Sequence, residues 1–248
     1  AGKEVPRLKP EYIKAISDTI KKKNLKITVA EGAALMAGES DGKHSAHIVF
    51  ATPSSKAASQ DIIDKEIERV ANTYGVSRVS VQYSFVKGSS DKEEVKDVSV
   101  GPMQVSEVHL KKAGKETLVN PIKNIEYGLT YYAGLKEDLC NGRSNCAVRA
   151  FNQGPGKLET AKFAGTLEKY REIYSAEADA LYAKAHTLIG RESSDPTIRL
   201  LGRFNQYKSE YETTDDTGQT LIARLEKLGS TVVSAFRPAS AEAAERPK

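Results

Sequence analysis

Glu39 is the residue with the clearest chemistry in the chain. It lies in Ala37-Gly-Glu39-Ser40, at the end of an alanine-rich stretch from Thr28 to Ala37 whose one charge is Glu31. A helix that is apolar almost all round belongs in a core. A carboxylate at its end has its stem against apolar neighbours, and desolvation favours the protonated form. A carboxylic acid in that state can protonate a leaving oxygen near neutral pH, as glycosidic cleavage requires.

Two glycine-bearing segments are candidates to shape a site around that acid. They are Val100-Gly-Pro-Met-Gln104 and Ala150-Phe-Asn-Gln-Gly-Pro-Gly156. Glu31, two turns before Glu39, reads as an interior or capping carboxylate. His44 and His47 have i,i+3 spacing but no third ligand in view, so no metal and no cofactor is expected.

These residues need elements to position them. Pro10 to Lys23 carries Ile13, Ile16 and Ile20 at amphipathic helical spacing. Ser59 to Tyr74 repeats the pattern with Ile62, Ile63, Ile67, Val70 and Ala71. The period then changes: Arg78 to Val86 and Glu94 to Val100 alternate as half-buried strands do. Gly88 to Lys92 between them has turn chemistry, which predicts a β-hairpin. Helices return from Ser106, with Pro121 to Leu139 and Cys146 to Asn152 ahead of the Gly154-Pro-Gly156 stop. Leu158 to Ile189, Pro196 to Glu212 and Gln219 to Phe236 follow, and Arg237 to Lys248 is an Ala/Glu/Pro-rich tail expected to be loose. The fold class is α+β and mainly helical, with one small sheet.

Composition sets the frame. The 248 residues, 39% hydrophobic and 28% charged, suit a globular protein with a sizeable core. A net charge of +4 lacks the dense basic stripe of a nucleic-acid binder, so no nucleic-acid partner is expected. No apolar run reaches the roughly 20 residues of a membrane span, and Ala1 to Lys9 has no stretch of the signal-peptide kind. Cys140 and Cys146 flank a short Asn/Gly/Ser loop and are either a local disulfide or two thiols. The disulfide would imply an oxidising compartment.

In order, the segments resemble the goose-type lysozyme and soluble lytic transglycosylase superfamily. That superfamily has a Glu-Ser pair ending an apolar helix, then Gly-Leu-Met-Gln, a segment of the kind Asn-Pro-x-x-Asn-Ile-x-x-Gly-x-x-Tyr-Leu, and Ala-Tyr-Asn-Ala-Gly-Pro-Gly. Here Asn24 to Ser40 matches the helix leading to the acid, and Asn120 to Leu135 reads Asn-Pro-Ile-Lys-Asn-Ile-Glu-Tyr-Gly-Leu-Thr-Tyr-Tyr-Ala-Gly-Leu. Pro102 stands where the family has Leu, Phe151 where it has Tyr, and Gln153 where it has a small residue. The chain between Glu39 and Gly101 is longer than usual. The resemblance implies a lysozyme-like catalytic domain over 1–157 with an insertion at about 44–98, followed by a helical extension over 158–236 and the tail 237–248. It implies peptidoglycan glycan strands as the partner and Glu39 as the acid cleaving the β-1,4 bond between N-acetylmuramic acid and N-acetylglucosamine. It also implies Ser40, Met103, Gln104, Asn152 and Gln153 as substrate-binding residues, since amide side chains both donate and accept hydrogen bonds and so suit acetamido and hydroxyl groups, with Tyr131 a further candidate to line the cleft. A second carboxylate would come from Asp91, Glu93, Glu94 or Asp97, of which Asp97 is best placed, close to the Gly101 turn. The outcome is either an anhydro product (lytic transglycosylase) or hydrolysis (lysozyme, with Asp97 as second acid). A cell-wall-binding protein on the same fold with weak or no activity is the alternative. A periplasmic or secreted location follows.

Overall fold

The computed structural model describes residues 4–53, 58–89, 92–169, 171–172, 196–213, 220, 222–224 and 226–227. Two helices open the chain. α1 (Pro10–Lys23) starts on a proline at its first turn and stops at Asn24, whose φ of 49° is left-handed. α2 (Val29–Ser40) is capped by Thr28, whose hydroxyl accepts from Glu31 N at 3.1 Å. It continues to Ser40 and ends at Asp41 in the left-handed region, which places Glu39 inside the last turn.

β1 (Ala46–Thr52), α3 (Gln60–Tyr74), β2 (Val81–Lys87), β3 (Glu94–Val100) and β4 (Val105–Ser106) follow. They form one sheet of order β2-β1-β3-β4. The expected hairpin is therefore not formed. β1 lies between β2 and β3, parallel to β2 (Ala46↔Val81 through Thr52↔Lys87) and antiparallel to β3. α3 supplies the crossover that a parallel pair needs. Alternation along 78–86 and 94–100 does show two strands, but it cannot name their partner. The central strand is the one the periodicity misses, since Ala-His-Ile-Val-Phe-Ala-Thr is apolar almost throughout, as a strand covered on both sides can be. Residues 44–98 thus hold most of the sheet.

The remaining helices are α4 (Leu110–Ala113), α5 (Glu116–Val119), α6 (Pro121–Gly134), α7 (Ser144–Gln153), α8 (Gly156–Phe163) and α9 (Pro196–Glu212). Asn120 caps α6 through Ile122 N (2.9 Å) and Lys123 N (3.2 Å). A π turn, Leu135–Leu139, prolongs α6 to the loop closed by the Cys140–Cys146 disulfide.

One core joins these elements. Ile13 and Ile16 of α1, Leu35 and Met36 of α2, Ile48 and Phe50 of β1, and Leu129 and Tyr132 of α6 are all fully buried. α9 enters the same core with Leu201, Phe204 and Tyr207. It lies so close on α2 that a Cβ at Gly38 would come 2.8 Å from Leu200 Cδ1. The boundary drawn at 157/158 therefore has core on both sides. Of the other expected C-terminal helices, 158–189 and 219–236 lie mostly outside the described residues, as does the whole tail 237–248. No helix among the described residues is long and apolar enough to cross a membrane.

Candidate active site

Glu39 keeps part of its surface in contact with solvent, yet its Oε1 is buried and has no hydrogen-bond partner. Burial pushes its carboxyl pKa from 4.5 up to about 8. An anion there would give up its water and receive no donor in return. At pH 7 about nine molecules in ten hold the proton.

The neighbouring residue fixes where that acid sits. Ser40 Oγ donates to the Pro102 carbonyl at 2.7 Å, with Met36 O at 3.2 Å as its alternative acceptor, and accepts from Lys43 N. The end of α2 is thereby tied to the Gly101–Gln104 turn, 62 positions away in the chain. Asn124, fully buried in α6, holds the turn from below: its Oδ1 accepts from Met103 N (2.8 Å) and its Nδ2 donates to Val100 O (2.9 Å). Gly101, at φ 89°, lies against that amide, and a Cβ there would meet Asn124 at 2.3 Å. Gln104 also has positive φ, 47°. Its Nε2 donates to Gly101 O (2.9 Å) and to Ser45 O (3.2 Å), bonds that leave its Oε1 uncommitted.

The other candidates fall into distinct places. Met103 is fully buried and packs on α6 at Gly128, so what it supplies is the seat of the turn. Tyr131 is half-buried, its ring 5.8 Å from Phe151 and 5.0 Å from His109. Asn152 and Gln153 are exposed at the end of α7 and tied to α9. Thr197 Oγ1 donates to Asn152 Oδ1 at 2.8 Å, and Gln153 Nε2 donates to Thr197 Oγ1 at 2.9 Å. The sequence names neither Thr197 nor the role of Asn124. The second asparagine of Asn-Pro-Ile-Lys-Asn124 was a signal for the latter, but no local pattern announces Thr197.

Asp97 lies on β3, where Ser106 Oγ donates to its Oδ1 and Ser99 Oγ stands 3.5 Å from Oδ2. Its field reaches two histidines. Burial lowers the pKa of His47, whose Nε2 is 2.9 Å from Ser84 Oγ; Asp97 opposes that shift and Arg199 adds to it. Burial and then Lys112 lower the pKa of His109, against Asp97. The shift of Glu39, by contrast, comes from burial.

Glu31 is a buried anchor. Its carboxylate accepts from Tyr132 Oη (2.7 Å), Lys136 Nζ (2.9 Å to each oxygen) and Ser144 Oγ (2.7 Å). This joins α2 to α6, to the π turn and to the disulfide loop. His44 and His47 do not share a helix: His44 precedes β1 and His47 lies within it. Among the described residues no group of three or more His, Cys, Asp or Glu could hold a metal ion.

Residues 68–173 match the family model described as Transglycosylase SLT domain. The matched stretch contains the 101–104 turn, α6 and the Ala150–Gly156 segment, and it agrees with the superfamily resemblance read from the motifs. It begins after Glu39. At family level the match supports lytic transglycosylase-type cleavage of peptidoglycan, a polymer that lies outside the cytoplasm. Comparison with curated proteins and with solved structures gives no significant match.

Proposed function

We propose that this chain, starting from the SLT transglycosylase match over 68–173, is a lytic transglycosylase that cleaves the N-acetylmuramic acid–N-acetylglucosamine β-1,4 bond with Glu39 as both acid and base. The observation that carries this reading is Glu39 Oε1, buried without a hydrogen-bond partner on a helix end that Ser40 ties to the Pro102 turn. Protonated Glu39 gives its proton to the glycosidic oxygen as the anomeric C–O bond breaks. The carboxylate left behind is a stronger base than an exposed glutamate, because its site does not solvate charge. It takes the proton of the muramyl 6-hydroxyl while that oxygen closes on the anomeric carbon. The 1,6-anhydro product forms without consuming water, and Glu39 ends protonated. Gln104, Tyr131, Asn152 and Gln153 form the sugar-binding shell, while Ser40 and the fully buried Met103 hold the 101–104 turn in place. The Cys140–Cys146 disulfide supports a periplasmic or secreted location.

The test is mass spectrometry of fragments released from purified peptidoglycan, with Glu39→Gln in parallel. Anhydro-muramyl ends from the unmodified protein and none from the variant are expected. Reducing muramyl ends would make the protein a lysozyme and turn attention to Asp97 as second acid. Retained binding to insoluble wall with no release would make it an inactive cell-wall-binding protein. Cleavage surviving in Glu39→Gln would remove Glu39 from the mechanism.

A further inference from the structure

The outer face of α6 forms the floor of a groove of about 930 Å³, within the size range of small-ligand sites. Tyr127 and Tyr131 stack along its floor, ring centroids 6.5 Å apart at 15°, and Phe163 of α8 stands 95% exposed at its wall. Cations rim it from both sides: Lys112 on α4 and Lys162 on α8. Two other lysines at the rim are already engaged, Lys23 with Glu126 at 3.1 Å and Lys123 with Glu116. Lys112 and Lys162 have no ion-pair partner among the described residues. Three carboxylates share the lining: Glu126, paired with Lys23, and Asp138 and Glu159, which offer a partner to a ligand ammonium. After burial, Glu159 is the larger influence raising the Tyr131 phenol pKa.

The groove meets the candidate site at one residue. Tyr131 belongs to both, through its contact with Phe151, while Glu39 is not among the residues lining the groove. A glycan strand gives two unpaired lysines nothing to pair with, because its muramyl carboxyls are tied up as amides to peptide. The carboxylates of this polymer are on the peptide stems, which also carry small methyl groups and, at a diamino acid, an ammonium.

We propose that this groove is a binding site for the anionic peptide stem of the cell-wall strand, with Lys112 and Lys162 taking its carboxylates and Tyr127, Tyr131 and Phe163 covering its methyl groups. The inference rests on the peptidoglycan reading above and deepens it. Stem recognition in this groove would make the enzyme act on peptide-bearing strands in preference to stripped ones.

Calorimetry of a synthetic stem peptide with the Glu39→Gln protein separates this proposal from catalysis. Saturable binding that weakens with added salt is expected. Adding Lys112→Glu and Lys162→Glu should weaken it about tenfold or more, from two exposed charge contacts reversed. An unchanged melting temperature in that variant would show that the fold is intact. No saturable binding at millimolar peptide, or equal binding with both lysines reversed, overturns the groove assignment even if the wall is cleaved. In the unmodified protein, kcat/KM on peptide-bearing strands should exceed that on amidase-stripped strands, and reversing both lysines should bring the ratio towards one. A ratio of one in both proteins also overturns it. If stem binding holds while no strand is cleaved, the cleavage reading fails and the groove stands.

Discussion

Replacing Glu39 by Gln should stabilise the protein at neutral pH and abolish cleavage, and the size of the effect can be worked out from burial. An unfolded glutamate titrates near 4.5 and the folded one near about 8. Between those values the folded chain holds a proton that the unfolded chain has released. Stability is therefore full below pH 4.5 and falls by about 1.4 kcal/mol per pH unit as pH rises towards 8. From pH 4 to pH 7 the loss is about 3 kcal/mol. Glutamine has no proton to lose, so its variant escapes that slope. Any fixed cost of seating the buried amide is the same at both pH values and cancels in the comparison. Other titrating groups cancel too, since burial rather than a charged neighbour sets the Glu39 shift. Urea unfolding of both proteins at pH 4 and pH 7, with the disulfide intact, gives the four free energies. The variant's advantage should be about 3 kcal/mol larger at pH 7 than at pH 4. An advantage that does not change with pH would show that Glu39 is solvated in the folded state, and the argument for it as a protonated acid would fall with it.

Three other outcomes follow from the same geometry. Asn124→Ala strands Met103 N and Val100 O in the core and should cost about 2–4 kcal/mol, readable as a lowered unfolding midpoint; a loss below half that would mean the turn holds itself. If Glu39 is the proton donor, kcat/KM should decline as pH rises through about 8, and a flat profile to pH 10 on stable protein would argue against that donor. Reduction of Cys140–Cys146, a separation of only 6 residues, should cost about 2 kcal/mol by loop entropy, seen as a lower melting temperature in reductant.

The residues that could be read from sequence alone are those whose meaning is local. The desolvated position of Glu39 announces itself by the apolar run before it, Pro196 to Glu212 is bounded by its own proline and periodicity, and the cysteine pair by its short loop. What stayed hidden depends on partners distant in the chain. His47 looks like half of an i,i+3 pair until β1 is seen to pair on both sides, because an apolar run does not say whether it is helix or central strand. Strand patterns 78–86 and 94–100 were visible, but the element between them in space comes earlier in sequence. The link from Thr197 to Asn152 and Gln153 had no sequence signal, since a threonine at the start of a helix is ordinary.

The hydrogen bond from Ser40 to Pro102 has a consequence for the order in which the chain is made. α2 and β1 leave the ribosome before either neighbour of β1 and before the turn that Ser40 grips. α9, which covers α2 at Gly38, comes almost a hundred residues after that turn. Until those parts arrive, Glu39 is an ordinary wet glutamate with its ordinary affinity for a proton. The carboxyl is thus written early but buried late, and a chain halted before residue 196 would carry every residue proposed above to bind sugar without the cover that packs on α2.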